Sequence, residues 1–239
     1  MSSLGSILDR TPVDAIGDVL GRMQEIDAAL PPTDGIACFN KLYMTVTANV
    51  IDAETKGTFI SNGFLTTLDV AFGNLYFAAL RALDMGAPTP RAWAPLFSAR
   101  AAQGIAPLQF AFAGMNAHIN RDLPVGLVHA FTKLGVEMER PSPKSQDFDR
   151  VNAVLASTEA EMRDRYFTPL MEQLHRHFDG VDDVVANWSV QEARAAALVN
   201  GVALWHLRAH PSLSADYLDA LDGMVGFAGR GLLVPLGHP

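Results

Sequence analysis

Apolar positions recur at intervals of three and four residues along most of the chain, which is the spacing of one face of an α-helix. This spacing predicts helices over residues 12–30, 36–54, 61–85, 147–179 and 189–209, and a last helix from residue 213 to about 224. Alternation of apolar and polar residues with a period of two is absent from the pattern, as are hairpin turns. We therefore expect an all-α fold of roughly eight helices around one central buried helix.

Proline and capping residues predict several helix ends. Thr11 before Pro12 predicts the start of the first helix, and Thr89 before Pro90 predicts a short helix that ends at Gly104. Residues 139–146, ERPSPKSQ, are polar and proline-bearing, which is typical of a linker. We expect one domain over residues 1–239, in which this linker joins helical halves at 1–138 and 147–239.

The central helix is predicted from the stretch 105–134, which is apolar almost all the way round. A helix of this kind belongs inside a protein. Its middle nevertheless carries five polar residues within seven positions: Asn116, His118, Asn120, Arg121 and Asp122. Pro124 lacks an amide hydrogen and disfavours helical geometry at Leu123, so we expect a kink or break in the turn that contains Arg121 and Asp122.

His118 and Asp122 are four residues apart and therefore share one face of a helix. Two chemistries fit this pair. The carboxylate can hold the imidazole in one tautomer so that the ring acts as a general base, or both side chains can bind a divalent metal ion whose other ligands come from neighbouring helices. The alternative is structural, because a buried imidazole and a buried carboxylate can simply satisfy each other's hydrogen bonds.

Composition narrows the classes of function. Hydrophobic residues make up 49% of the 239 residues and the formal net charge is -8, with the Lys and Arg residues scattered, so nucleic acid and anionic membranes are unfavourable partners. No apolar run approaches the ~20 residues of a membrane-spanning helix.

The start, MSSLGSILDRT, has no targeting pattern, and Cys38 is the only cysteine, so we expect a cytoplasmic protein without an intrachain disulfide. Apolar helix faces would allow a homodimer.

Nucleophilic and phosphate-binding motifs are missing from the sequence. There is no G-x-S-x-G turn, and no Gly-rich loop follows a predicted strand. We therefore expect no organic cofactor, and a divalent metal only if His118 and Asp122 are ligands.

Four segments carry a resemblance to a known family. Residues 114–123, GMNAHINRDL, resemble the GMNAHI-x-x-DL signature of a bacterial family of uncharacterised helical proteins. Residues 72–80, 88–93 and 147–152 are similar to its F-x-N-x-Y-x-x-A-L, P-T-P-x-x-W and D-F-x-R-[IV]-N segments. The resemblance implies a common site at the shared polar positions, which are Asn74, Tyr76, Asn116, His118, Asp122, Asp149 and Asn152. Where the family has A-R-x-x-A-W, this chain has Leu198 in place of the tryptophan.

Three functions follow as hypotheses. The first is an enzyme that cyclises, isomerises, dehydrates or hydrolyses a small apolar molecule, with His118 as acid or base and Asp122 orienting it. The proposed substrate-binding residues are Asn116, Asn74, Tyr76, Asp69, Tyr43, Asp149 and Asn152, of which Asn116, Asn74 or Tyr76 would bind a developing oxyanion. The second is a metal-dependent hydrolase with His118 and Asp122 as ligands. The third is a non-catalytic binding or scaffold protein in which the polar cluster is structural.

Overall fold

The computed structural model describes residues 3–61, 63–139, 142–162 and 190–235, and this part of the chain contains helices but no β-strand. The all-α prediction is confirmed. The helices, in chain order, are α1 (Ser3–Leu8), α2 (Ile16–Ala29), α3 (Gly35–Thr55), α4 (Phe64–Asp84), α5 (Ala94–Ala99), α6 (Pro107–Ala117), α7 (Leu123–Leu134), α8 (Pro143–Met162), α9 (Val190–Leu207) and α10 (Pro211–Leu232).

A π-helical turn, His118–Asp122, joins α6 to α7 without a break. The amide of Leu123 donates to the carbonyl of His118, five residues back, where an α-helix would use the carbonyl four residues back. Pro124 lies in the first turn of α7 and donates no backbone hydrogen bond to the preceding π turn. The expected break is wrong, because Leu123 is helical and the chain passes from α6 to α7 through the π turn. We call α6, the π turn and α7 the central rod.

The predicted start of the first long helix is wrong. Helix α2 begins at Ile16, and the Thr11 hydroxyl instead donates to the Leu8 carbonyl (2.7 Å) at the end of α1, a helix that the apolar pattern did not predict. Val13, which follows, is held by Asn74 of α4: its amide donates to Asn74 Oδ1 (2.9 Å) and its carbonyl accepts from Asn74 Nδ2 (2.8 Å). A long-range contact thus fixes this segment as a loop.

The predicted linker is too long at its C-terminal end, because α8 already begins at Pro143. Ser142 and Ser145 exchange hydrogen bonds from each amide to the other hydroxyl (2.9 and 3.2 Å), which satisfies free amides at this helix start. The predicted continuation of this helix to residue 179 and the predicted capping box at Ser189 lie outside the described residues.

Helix α10 extends to Leu232, beyond the predicted end near residue 224, although it contains several glycines. Close packing explains the glycine at position 226, because a Cβ there would collide with the carbonyl of Arg91. The glycine lets α10 lie directly against the backbone that precedes α5.

Two large hydrophobic cores meet at the central rod, and a third, small cluster lies between α3 and α6. The first core contains residues from each of the helices α1 through α6 and from α10. The second contains residues from α3, α4, α7, α8 and α9. Phe72 of α4 and Met115 of α6 contact both cores. At Gly114 a Cβ would overlap the ring of Phe39, so only glycine allows α6 to approach α3 this closely. The polar middle of the rod therefore lies where the two cores meet.

No helix in the described ranges combines the length and the apolar character needed to cross a membrane.

Candidate functional site

The predicted pair of His118 and Asp122 is in direct contact. Nδ1 of His118 lies 3.1 Å from Oδ2 of Asp122, and the two residues are 2% and 0% exposed. Both belong to the π turn, which brings the first and last of its five residues onto one side. We call these two residues the dyad.

Two further side chains hold the carboxylate of Asp122 in place. The indole Nε1 of Trp93 donates to Oδ2 (3.0 Å), and a guanidinium nitrogen of Arg121 donates to Oδ1 (2.8 Å). With the imidazole, this gives the buried carboxylate three partners from three side chains. Such a set fixes its position and compensates for its loss of water.

Trp93 is itself positioned by α10. Oδ2 and Oδ1 of Asp222 accept from the amides of Arg91 (2.7 Å) and Ala92 (3.0 Å), immediately before the tryptophan. Nε of Arg121 lies 3.6 Å from Oδ1 of the same carboxylate. Asp222 therefore links the loop that carries Trp93 to the arginine that binds Asp122.

The contact with Asp122 determines which imidazole nitrogen carries the proton. An ionised carboxylate can only accept hydrogen bonds, so Nδ1 of His118 must be the donor. Nε2 then carries the lone pair, and it is buried without a hydrogen-bond partner among the described residues. Burial lowers the pKa of His118, an effect that the bond to Asp122 only partly opposes, so the ring is neutral near pH 7.

Aromatic rings surround the imidazole. The ring of Phe72 stacks on it at a centroid distance of 3.4 Å, and the ring of Tyr43 meets it edge-on at 4.4 Å. Three more rings have centroids within 5.7 to 6.0 Å, those of Phe39, Trp93 and Tyr76. Of these five rings, only that of Phe72 is partly exposed.

A second polar group lies further along α4. Asp69 is one helical turn before Phe72, and its Oδ2 is buried with no hydrogen-bond partner among the described residues. Burial raises the pKa of Asp69 to about 7; the charge of Arg194 opposes this shift, and the charge of Glu54 adds to it. After burial, the charges of Asp69 and Asp122 are the largest causes of the strongly raised pKa of Tyr43. Tyr43 is thus close to both groups.

Arg194 of α9 is the cation of this second group, and it is 7% exposed. Its Nε donates to Oδ1 of Asn152 (2.9 Å), another guanidinium nitrogen donates to the carbonyl of Phe148 (2.8 Å), and the guanidinium carbon lies 4.2 Å from the centre of the Phe148 ring. Burial lowers the pKa of Arg194 to about 10, against the charges of Asp69 and Asp149. We call Asp69, Arg194 and Asn152 the Asp69 region.

The other predicted site residues are used in different ways. Asn74 holds the Val13 backbone, and Asn116 donates to the Val225 carbonyl (2.9 Å) while its Oδ1 accepts from Asn120. The Tyr76 hydroxyl donates to Oδ1 of Asn40 at 3.4 Å, and burial strongly raises the pKa of Tyr76. Their donors are thus used to hold backbone and core. Asp149 is exposed on α8 near Arg194.

The sequence-based candidates did not include four residues of the site, which are Trp93, Arg194, Phe72 and Asp222. Trp93 and Arg194 lie in the segments that resemble the family motifs P-T-P-x-x-W and A-R-x-x-A. These motifs were the signal in the sequence that could have indicated both residues. Phe72 had none, because an apolar residue on an amphipathic helix is expected to pack in a core.

The described residues contain no group of three or more His, Cys, Asp or Glu side chains that could hold a metal ion. The metal-hydrolase hypothesis gains no observation from this part of the chain. The sequence has two further pairs four residues apart that could bind a metal ion. His206 and His210 are exposed, and His175 with Asp179 lies outside the described residues.

A match to a family model covers residues 16–235, and the chain belongs to this family of unknown function, DUF5995. The expected membership of an uncharacterised family is confirmed. No curated protein and no solved structure matches the chain.

Proposed function

We propose that this member of the family is an enzyme that acts on a small, largely apolar molecule, with His118 as the acid-base group and Asp122 as the residue that orients it. Cyclisation, isomerisation, dehydration and hydrolysis all require a proton to move, which a neutral imidazole can accept and return. The aromatic rings around the imidazole favour an apolar substrate.

The free Nε2 of His118 carries this proposal. A purely structural imidazole in a closed core would use both nitrogens, because an unpaired buried acceptor costs about 1–3 kcal/mol. Here one nitrogen is held by a carboxylate that is itself fixed by Trp93 and Arg121, while the other has no described partner. This is the arrangement of an oriented general base.

Access to Nε2 requires a side chain to move, since His118 is 2% exposed. Phe72 is the residue that we expect to move, because it stacks on the imidazole and is itself partly exposed. The space would admit a substrate, which must present its proton in the plane of the imidazole, where the lone pair of Nε2 lies, and not over the face that Phe72 covers.

Asp69 supplies a second group for proton transfer in this proposal. Its carboxyl, with a pKa of about 7, can give or take a proton at neutral pH. It lies one helical turn from Phe72, so a substrate that displaces this ring would lie between a base on the central rod and a carboxyl group on α4.

Deuterium incorporation tests the proposal before the natural substrate is known. The protein is incubated in D₂O with a panel of aryl ketones, cyclic enones, β-hydroxy ketones and aryl esters, and exchange, dehydration and hydrolysis are followed by NMR. We expect one class to react, with the rate reduced about 100-fold or more in His118→Gln, since a general base contributes about 10²–10⁴-fold.

His129→Gln is the matched control, because His129 is exposed on α7 and lies outside the dyad. Its rate should equal that of the wild type. Equal rates in wild type and His118→Gln would remove His118 from the reaction and overturn the proposal.

The scaffold hypothesis has one observation in its favour, the almost complete enclosure of His118. On that hypothesis the dyad only stabilises the junction of the two cores. His118→Gln would then lower the melting temperature, and the Nε2 atom of the folded protein would not react with diethyl pyrocarbonate. Slow acylation of His118 under native conditions would favour the enzyme, because it requires the enclosing rings to open.

A further inference from the structure

Helix α10 presents an apolar stripe on the face that points away from the cores. Its buried face is formed by Leu221, Val225 and Gly229. The opposite side carries six residues spaced alternately four and three apart, which we call the outer stripe: Leu213, Tyr217, Ala220, Met224, Phe227 and Gly231. Tyr217 lies at the edge of this stripe and is half-buried, and its hydroxyl donates to Oδ1 of Asn200 in α9 (2.8 Å).

The large members of the outer stripe are unusually exposed for apolar side chains. Leu213, Met224 and Phe227 are 53%, 64% and 73% exposed in the part of the chain that the structure describes. A spacing of alternately four and three residues keeps apolar side chains on one seam of a helix that packs against another helix. The outer stripe therefore has the pattern of a helix-helix interface.

The order of residue sizes in the stripe fits a second copy of the same helix in antiparallel orientation. About a centre at residue 222, Leu213 faces Gly231, Ala220 faces Met224, and the aromatic ring of Tyr217 faces that of Phe227. Large side chains thus meet small ones at both ends and near the middle. Such self-complementarity is what a two-fold symmetric interface requires.

Charges beside the stripe fit the same orientation. Asp216 lies in the N-terminal half of α10, whereas Arg230 lies near its C-terminus, and both are exposed. Asp219, in the same half as Asp216, already pairs with Arg91 (2.6 Å). In the antiparallel pair, Arg230 comes within about two residues, or 3 Å along the axis, of the position opposite Asp216 of the second copy. In a parallel pair, by contrast, like charges would face each other.

We propose that α10 is the interface of a homodimer, in which two copies of the outer stripe pack antiparallel about a two-fold axis beside residue 222. This inference does not depend on the proposed enzymatic function, and the two can fail separately.

Sedimentation velocity in the micromolar range tests the interface. We expect the wild type to sediment as a dimer and Phe227→Asp as a folded monomer, since Phe227 is exposed and its replacement leaves the cores unchanged. Met85→Asp is the matched control: Met85 is 68% exposed at the C-terminal end of α4, away from the stripe, and should leave the dimer intact. A monomeric wild type, or a Phe227→Asp dimer, would overturn the proposal.

A charge exchange tests the orientation. Arg230→Asp places carboxylates against carboxylates twice in each dimer and should weaken self-association about tenfold. The double variant Asp216→Arg with Arg230→Asp restores both attractive pairs, and we expect it to recover most of this loss. A double variant that dimerises no better than Arg230→Asp would exclude the antiparallel register.

Discussion

The dyad and the Asp69 region both lie close to Tyr43, but they differ in how their buried charges are compensated. In the dyad, Asp122 has three hydrogen-bond partners, and burial leaves only Nε2 of His118 unpaired. In the Asp69 region, Arg194 is well bonded, whereas Asp69 has an unpaired oxygen and a pKa of about 7. A bonded carboxylate stabilises the fold, and an unpaired one is free for a ligand or a proton.

The strongest test of this contrast is Asp122→Ala. Removal of this carboxylate leaves the Arg121 charge, the Trp93 indole and the His118 Nδ1 without their acceptor in a dry site. We expect the free energy of unfolding to fall by about 3–5 kcal/mol, the usual cost of breaking a buried charge pair. Urea denaturation measures it.

Asp52→Ala is the control for this variant, because Asp52 forms only an exposed pair with Lys56 (2.6 Å). Its effect should stay within about 0.5 kcal/mol. If Asp122→Ala were equally mild, the dyad would not be the rigid part of the site.

Phe72→Ala tests how the dyad is closed. The loss of a partly buried ring should cost about 2–3 kcal/mol, less than for a fully buried phenylalanine. The same variant should uncover one face of the imidazole and so give a reagent room to reach Nε2, and we expect diethyl pyrocarbonate to acylate His118 faster than in the wild type, as followed by mass spectrometry. An unchanged acylation rate would show that Phe72 does not control access.

Asp69→Asn tests the Asp69 region through the pH dependence of stability. The pKa of Asp69 is raised on folding, so the native state holds a proton that the unfolded chain has already lost, and the wild type loses stability as pH rises from about 4 to 7. A shift of one pKa unit corresponds to about 1.36 kcal/mol of stability. Because the Asp69 side chain is partly exposed, we expect the total loss of stability over this pH range to be reduced to roughly 2 kcal/mol.

The variant has no proton to lose at this position, so its stability relative to the wild type should increase over that pH range and be constant above it. Denaturation of both proteins between pH 4 and 8 gives this difference. A difference that does not depend on pH would mean that Asp69 titrates normally.

The smallest effect is expected for Asn152→Ala. Arg194 loses one hydrogen bond and keeps the Phe148 carbonyl, so the free energy of unfolding should fall by about 1.5 kcal/mol, the lower end of the range for a hydrogen bond to a charged group. A loss as large as that in Asp122→Ala would show that the two regions are equally dependent on their bonds.

Local pattern predicted much of this molecule, because helices follow from spacing within a few turns. The contact of His118 with Asp122 was predicted for the same reason, since residues four apart share a helix face. The π turn was not predicted, because Pro124 indicated a kink or break in the turn that contains Arg121 and Asp122. Its hydrogen bond, from Leu123 to His118, depends on the packing of the whole rod.

Long-range partners could not be read from spacing. Trp93 reaches Asp122 across 29 residues, and Arg194 reaches Asn152 across 42. Asn74 was interpreted as a substrate ligand, yet it binds the backbone of Val13, 61 residues away. A buried amide looks the same in the sequence whether it binds a ligand or a loop, and only the fold distinguishes the two.

The central claim is that His118 is a neutral base with its proton on Nδ1 and a free Nε2. NMR of protein labelled with ¹⁵N-histidine, with His118→Gln used for assignment, measures both the tautomer and the titration. We predict protonated Nδ1 and unprotonated Nε2 at pH 7, and a pKa below the ordinary value of 6.5 because the ring is buried. A proton on Nε2, or an imidazolium at pH 7, would contradict the account, because neither state can act as the base.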